Sequence, residues 1–133
     1  MTPHPVELQI EKADLAINRE DFDAVMDIYS NDAVLVVKPG MNAVGKAQIR
    51  KAMEAIAAHF NHSLDVKQAG MKILESSDTA LVLSKTVVSA SNMPAVERNA
   101  TYVFKRDPSG TWLCIIDNSY GHELLLKRER SGR

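Results

Sequence analysis

The stretch WLCIIDNSYGHELL, Trp112 to Leu125, passes from apolar residues into four consecutive hydrogen-bonding side chains, Asp117, Asn118, Ser119 and Tyr120, before Gly121. Amide and phenol groups at the end of an apolar strand offer donors and acceptors at fixed positions, which is how small-molecule pockets gain orientation. The same groups could equally form hydrogen bonds where a strand surfaces and bind nothing. Strand alternation puts Trp112, Cys114, Ile116, Asn118 and Tyr120 on one side, with Leu113, Ile115, Asp117 and Ser119 on the other. Asp117 thus falls on the side opposite Asn118 and Tyr120. Tyr102 shares a face with Ala100 and Phe104, either as core with a satisfied hydroxyl or as a ligand contact. Tyr29 and Phe60, at the ends of two helical segments, either narrow the mouth of a cavity or pack as plain core.

Two residues could do acid–base work. Lys85 interrupts TALVLSKTVV in phase with Leu81, Leu83 and Val87. Facing a cavity, its ammonium would serve a carboxylate or enolate ligand; otherwise it pairs with an acid or snorkels into solvent. His62, in HFNHSL, reads as a loop residue at a rim, with an imidazole that titrates in the useful range. Other chemistry is missing from the motifs. There is no glycine-rich phosphate loop, no HExxH and no paired-cysteine spacing, and GKAQI lacks the Ser/Thr and glycine spacing of a phosphate loop. No metal and no cofactor is expected.

Composition narrows the partners. The 133 residues carry 16 Lys and Arg against 17 Asp and Glu, a net charge of −1. That balance leaves no electrostatic footprint for nucleic acid or an anionic membrane. The one basic run, Lys127 to Arg133, reads as a solvated tail. No apolar stretch approaches the roughly 18 residues that span a bilayer, and MTPHPVELQ lacks the apolar region of a signal peptide. Cys114 is the single cysteine, so no internal disulfide can form; it reads as a small buried hydrophobe in a cytoplasmic chain.

The elements that must position these groups follow from periodicity. Val6, Ile10, Ala13 and Ile17 trace one helical stripe. Asp21 can cap a second short helix with Phe22, Val25, Met26 and Tyr29 on its buried side. Residues 33–38, AVLVVK, form a strand apolar on both faces, closed by Pro39-Gly40. Gly45 precedes a third helix, striped by Ile49, Met53, Ile56 and Phe60. Four strands follow at 64–74, 79–90, 97–106 and 111–120, separated by turn residues, of which Asp107-Pro108-Ser109-Gly110 is the strongest hairpin signal. Helices first and strands afterwards predict a single α+β domain, three helices packed on one face of a strongly curved, mostly antiparallel sheet. Its core spans about 7–122, with 123–133 as a tail. The second sheet face also needs cover, which predicts a homodimer packed sheet against sheet.

This order of elements, with GKAQIRKAM opening the third helix, VLVVKPGM, RNATYVFK and a final SGTWLCIIDNSYG, resembles the nuclear transport factor two-like superfamily, close to a branch of small bacterial proteins of unknown function. The resemblance implies a cone-shaped barrel with a cavity at its open end. It also implies that Ile116, Asn118 and Tyr120 face that cavity, together with Tyr102; a bulge in the hairpin at 107–110 would reverse the assignment. The superfamily includes ketosteroid isomerase, whose base position matches Val37 or Lys38 and whose protonated acid falls near Ala100 to Tyr102. Its tyrosine donor lies on a first helix that here has none between Val6 and Ile17. These roles are vacant, which argues against steroid isomerisation. The histidine-and-acid set of scytalone dehydratase also lacks a counterpart, since none of the four histidines falls within a strand. The expectation is therefore a cone that binds a small, largely apolar molecule. The alternatives are a cofactor-independent lyase or isomerase of polyketide-cyclase type using His62 or Lys85 as base, or an association module with a filled cone.

Overall fold

The computed structural model describes residues 2–126. Helix α1 (Pro5–Arg19) starts where Pro5 cannot offer an amide hydrogen and where His4 Nδ1 accepts from Val6 N at 3.0 Å. Asp21 caps the short α2 (Phe22–Met26) by accepting from Ala24 N at 3.2 Å. The sheet then begins with β1 (Tyr29–Lys38) and β2 (Met41–Val44). Helix α3 (Lys46–His59) follows Gly45, whose φ of 86° suits only glycine and whose N–H reaches Ala33 O at 2.8 Å. The long strands β3 (Asp65–Ser76), β4 (Thr79–Ala90) and β5 (Met93–Arg106) lead to β6 (Trp112–Asn118) and a short α4 (Glu123–Leu126).

The six strands lie in the order β2-β1-β6-β5-β4-β3, antiparallel except for the parallel pair β1 and β6. The α+β class holds, and the curved sheet carries the helices on one face. It does not close into a barrel, because β2 and β3 remain as edges. Side-chain hydrogen bonds lash α1 across the concave face instead. Gln9 Nε2 donates to Trp112 O on β6 at 2.7 Å, and Asn18 both donates to Val66 O and accepts from Val66 N on β3, at 3.0 and 2.7 Å. Val6, Ile10, Val25, Ile49, Val82 and Phe104 form the buried heart beneath them.

Several boundaries differ from the sequence reading. Tyr29 opens β1 rather than closing α2, since the helix ends at Met26 and Asp27 caps it. The short β2 pairs with β1 through four registered positions, although its few residues between two glycines carry too little periodicity to read as a strand. Strand β5 begins at Met93, paired to Ala90 across a tight hairpin. The basic run Lys127 to Arg133 lies outside the described residues. No helix among the described residues is long and apolar enough to cross a membrane.

One irregularity changes the function of β6. On the β5 side, Val103 pairs with Ile116 but Phe104 pairs with Cys114, so Ile115 has no partner. This bulge reverses the alternation beyond it. It sits within the strand, not in the hairpin at 107–110, which is closed by Asp107 Oδ1 accepting from Ser109 N and Thr111 N at 2.9 and 3.0 Å.

The turn after β6 is built by Asn118 and Gly121. Asn118 Oδ1 accepts from Tyr120 N and Gly121 N at 3.1 and 3.0 Å, and its Nδ2 donates to Gly121 O at 3.2 Å. Gly121 has φ of 56°, and a β-carbon there would lie 1.9 Å from the Asn99 carbonyl oxygen. Gly121→Ala is therefore expected to cost about 2 kcal/mol or more, from left-handed strain plus a forced backbone shift. A thermal melt should show a loss of roughly 5–10 °C; an unchanged melt would mean the turn is not held this tightly.

Candidate functional site

Helices α1 and α3 do not fill the concave face. Between them and the sheet lies a cavity of about 180 Å³. Most of its wall is apolar, with Ile10, Ile17, Ile56, Met53 and Phe104 among the contributors. The volume is comparable to the roughly 150 Å³ hole that accepts benzene, and below the roughly 300–1,000 Å³ of drug-sized sites. It suits a molecule of one or two rings.

The polar part of the wall is organised around two carboxyl groups. Asp14 lies on α1, four residues after Ile10 and three before Ile17, so it shares their inward stripe. Gln68 Nε2 on β3 donates to Asp14 Oδ2 at 2.8 Å. Gln68 Oε1 accepts from the Ser84 hydroxyl, and Ser84 Oγ lies 3.1 Å from Thr86 Oγ1. Thr86 in turn meets the Tyr102 hydroxyl at 3.2 Å. A continuous hydrogen-bonded chain thus runs over three strands, from an acid to a phenol. The second carboxyl, Asp117 on β6, accepts from the Tyr29 hydroxyl at 2.5 Å. Among the described residues no buried side-chain polar atom lacks a hydrogen-bond partner.

Burial sets the titration of these groups. Desolvation pushes Asp14 up to about 7, partly countered by the Gln68 hydrogen bond and reinforced by the nearby charge of Asp117. Burial likewise raises Asp117, against the Tyr29 hydrogen bond that lowers it. Asp117 retains some accessible surface although protein surrounds it, as expected of a group bordering a cavity. Both tyrosines, Tyr29 and Tyr102, are held well above the ordinary phenol value by burial first and by Asp117 second, so they remain donors. Cys114 is buried and its thiol is pushed up by desolvation, which keeps it unreactive and fits the reading of a small hydrophobe. No cluster of three metal-ligating side chains occurs among the described residues.

Tyr29, Phe60, Tyr102 and Tyr120 line the cavity. Ile116 and Asn118 do not. Because Ile115 bulges, Ile116 turns outward and is 41% exposed, while Asn118 spends its amide on the following turn. The inward positions go to Asp117 and Ser119, which simple alternation had put on the other side. Lys85 is on the convex face: Ala80, Val82, Ser84 and Thr86 are the buried set of β4, so Leu83 and Lys85 point outward. His62 is an exposed loop residue outside the cavity, with Nδ1 3.0 Å from Glu20 Oε1. Neither residue named as a base is near the cavity. Asp14 and Gln68 were missed, and for Asp14 a signal existed: an acid in phase with the apolar stripe of α1.

A buried acid raised in the folded state has a stability consequence. Between pH of about 4 and 7 the folded protein retains a proton on Asp14 that the unfolded chain has released, so stability falls as pH rises through that window. The loss from Asp14 is at most roughly 4 kcal/mol, since the group is not wholly desolvated. Urea midpoints at pH 5 and pH 8 should show a drop in the native protein and a smaller drop in Asp14→Asn. Equal drops in the two proteins would remove Asp14 as the cause.

The fold and this cavity place the molecule among known structures. A protein of unknown function with a cystatin-like fold from Nostoc punctiforme superposes with a TM-score of 0.74 at 16% identity, over 84% of this chain and 84% of that one. A Shewanella frigidimarina protein, provisionally assigned as a ketosteroid isomerase, gives 0.75 at 13% identity, over 86% of this chain and 93% of that one. A Streptomyces avermitilis protein provisionally assigned as a dehydratase gives 0.68 at 20%, over 84% and 90% respectively. At such identities the likeness shows the fold alone. No curated protein matches the chain. Residues 9–113 match the SnoaL-like domain, so this chain belongs to the SnoaL-like family within the nuclear transport factor two-like superfamily.

Proposed function

We propose that the cone binds a small, largely apolar carbonyl compound and moves a proton on it without a cofactor, as a lyase or isomerase does. The observation that carries this reading is the pair of carboxyl groups in one apolar cavity, with Asp14 poised at about 7. A general base works best when its pKa lies near the operating pH, and burial is the ordinary means of raising a carboxylate to that point. Asp14 takes a proton from the carbon beside the carbonyl and returns it to another carbon. The Tyr102 hydroxyl, which burial keeps protonated, donates to the oxygen on which negative charge develops. Asp117, braced by the Tyr29 hydroxyl, is the second carboxyl group on the same wall. Solved relatives of this fold provisionally assigned as an isomerase and a dehydratase support the reaction class.

The test is solvent deuterium incorporation and double-bond migration in one-ring unsaturated ketones, followed by nuclear magnetic resonance. Native protein should catalyse exchange with a rate rising through about pH 7 and levelling above it. Asp14→Asn should lower that rate at least about 100-fold. Binding of the ketones without exchange would leave a receptor rather than a catalyst. We further propose that two copies pack through the convex face, where Leu83 and Ile116 are 48% and 41% exposed. Sedimentation should give a dimer, and Leu83→Lys should shift it to monomer; a monomeric native protein removes this assembly.

A further inference from the structure

Besides the carboxyl groups of Asp14 and Asp117, a cationic side chain borders the cavity: Arg98, on β5. It is half-buried and stands opposite Thr86, the middle of the hydrogen-bonded chain that begins at Asp14. Among the described residues the Arg98 guanidinium makes no ion pair or hydrogen bond. Its one defined contact is with Tyr120, whose ring centroid lies 4.5 Å from the guanidinium carbon. Stacking of that kind occupies the face of the guanidinium and leaves its N–H donors free along the edge. The Tyr120 ring is itself held in place, because Asn118 ties the turn on both sides and Gly121 abuts Asn99.

We propose that Arg98 is a specificity-determining residue, pairing with a carboxylate at one end of a ligand whose apolar body occupies the cavity. A planar fork with unused donors matches a carboxylate through two parallel hydrogen bonds, and such charge-assisted pairs are the strong ones. The rest of the wall suits the same ligand. An apolar body fills the space among Ile10, Ile17 and Phe104, while the carboxylate stays at the partly exposed end instead of entering the interior. A carboxylate drawn into that interior without a partner would meet the full cost of desolvation. The substrate class is thus a small aryl or alicyclic acid carrying a second, reactive carbonyl. This inference rests on the cavity being a ligand site.

The probes are phenylacetate, 3-phenylpropionate and 4-phenylbutyrate, each compared with its primary amide by isothermal titration calorimetry. Native protein should bind the best acid about tenfold or more tightly than the matching amide. Arg98→Met keeps the aliphatic stem and should abolish that difference, whereas Arg98→Lys should retain part of it because the charge survives without the fork. Equal binding of acid and amide by the native protein would overturn the assignment of Arg98 while leaving the cavity as a site for neutral ligands. A preference for the acid that persists in Arg98→Met overturns it too. If native protein binds neither series, the ligand site itself falls, and this inference with it.

Discussion

Ile115 has no partner on the neighbouring strand, and the direction of every side chain after it depends on that fact. Before the bulge, Trp112 and Cys114 point into the concave face and are buried. After it, the inward position passes to Asp117 instead of Ile116. A regular β6 would put an isoleucine against Tyr29 and leave an acid on the convex face. Because the strand is irregular, a carboxyl group enters the interior and accepts the Tyr29 hydroxyl. The parallel neighbour adapts at the same place: Tyr29 pairs with Cys114 but Val34 with Ile116, so β1 also departs from a regular ladder there. Bulges next to active sites re-aim side chains in this way, at the expense of ladder hydrogen bonds.

The cost of that arrangement lies in the polar groups it buries. Asp14, Gln68, Ser84, Thr86 and Tyr102 form a chain on an otherwise apolar surface, and each would be destabilising if left alone. They are tolerated because each finds another. Ser84 and Thr86 are almost fully buried, yet both hydroxyls have partners. Hydrogen bonding does not undo desolvation entirely, which is why burial still pushes Asp14 up to about 7. A protein selected for stability alone would favour hydrophobic residues of similar size at such positions. The retained carboxyl groups are consistent with chemistry performed inside the cone.

Chain order and spatial order differ in a way that serves the site. Helix α1, first in the chain, supplies Asp14 and is tied by Gln9 to β6 and by Asn18 to β3. The helix therefore spans the opening of a sheet that does not close on itself. Its hydrogen bonds do the work that strand pairing does in a closed barrel. The last turn, through Asn118 and Gly121, holds Tyr120 and with it Arg98 at the other end of the cavity.

The helical stripes, the α+β order and the hairpin at 107–110 were legible because each rests on local chemistry. Apolar spacing of three and four, a capping Asp21, and turn residues with few alternative conformations act within a few positions of themselves. The family resemblance followed from that same succession. The wall of the cavity was legible only in part. Tyr29, Phe60, Tyr102 and Tyr120 are there, but Ile116 and Asn118 are displaced by one extra residue that no local pattern announces, since Cys114, Ile115 and Ile116 suit either face of a strand. Lys85 pointed outward because the buried face of β4 is the one carrying Ser84 and Thr86, and the order of hydrophobicity along that strand suggested the opposite. Asp14 became a candidate base through packing of α1 over β3, a contact between segments 54 residues apart. Local sequence determines which elements form. Which side chains meet inside is decided by register and by which layer covers which, and those depend on the whole assembled sheet.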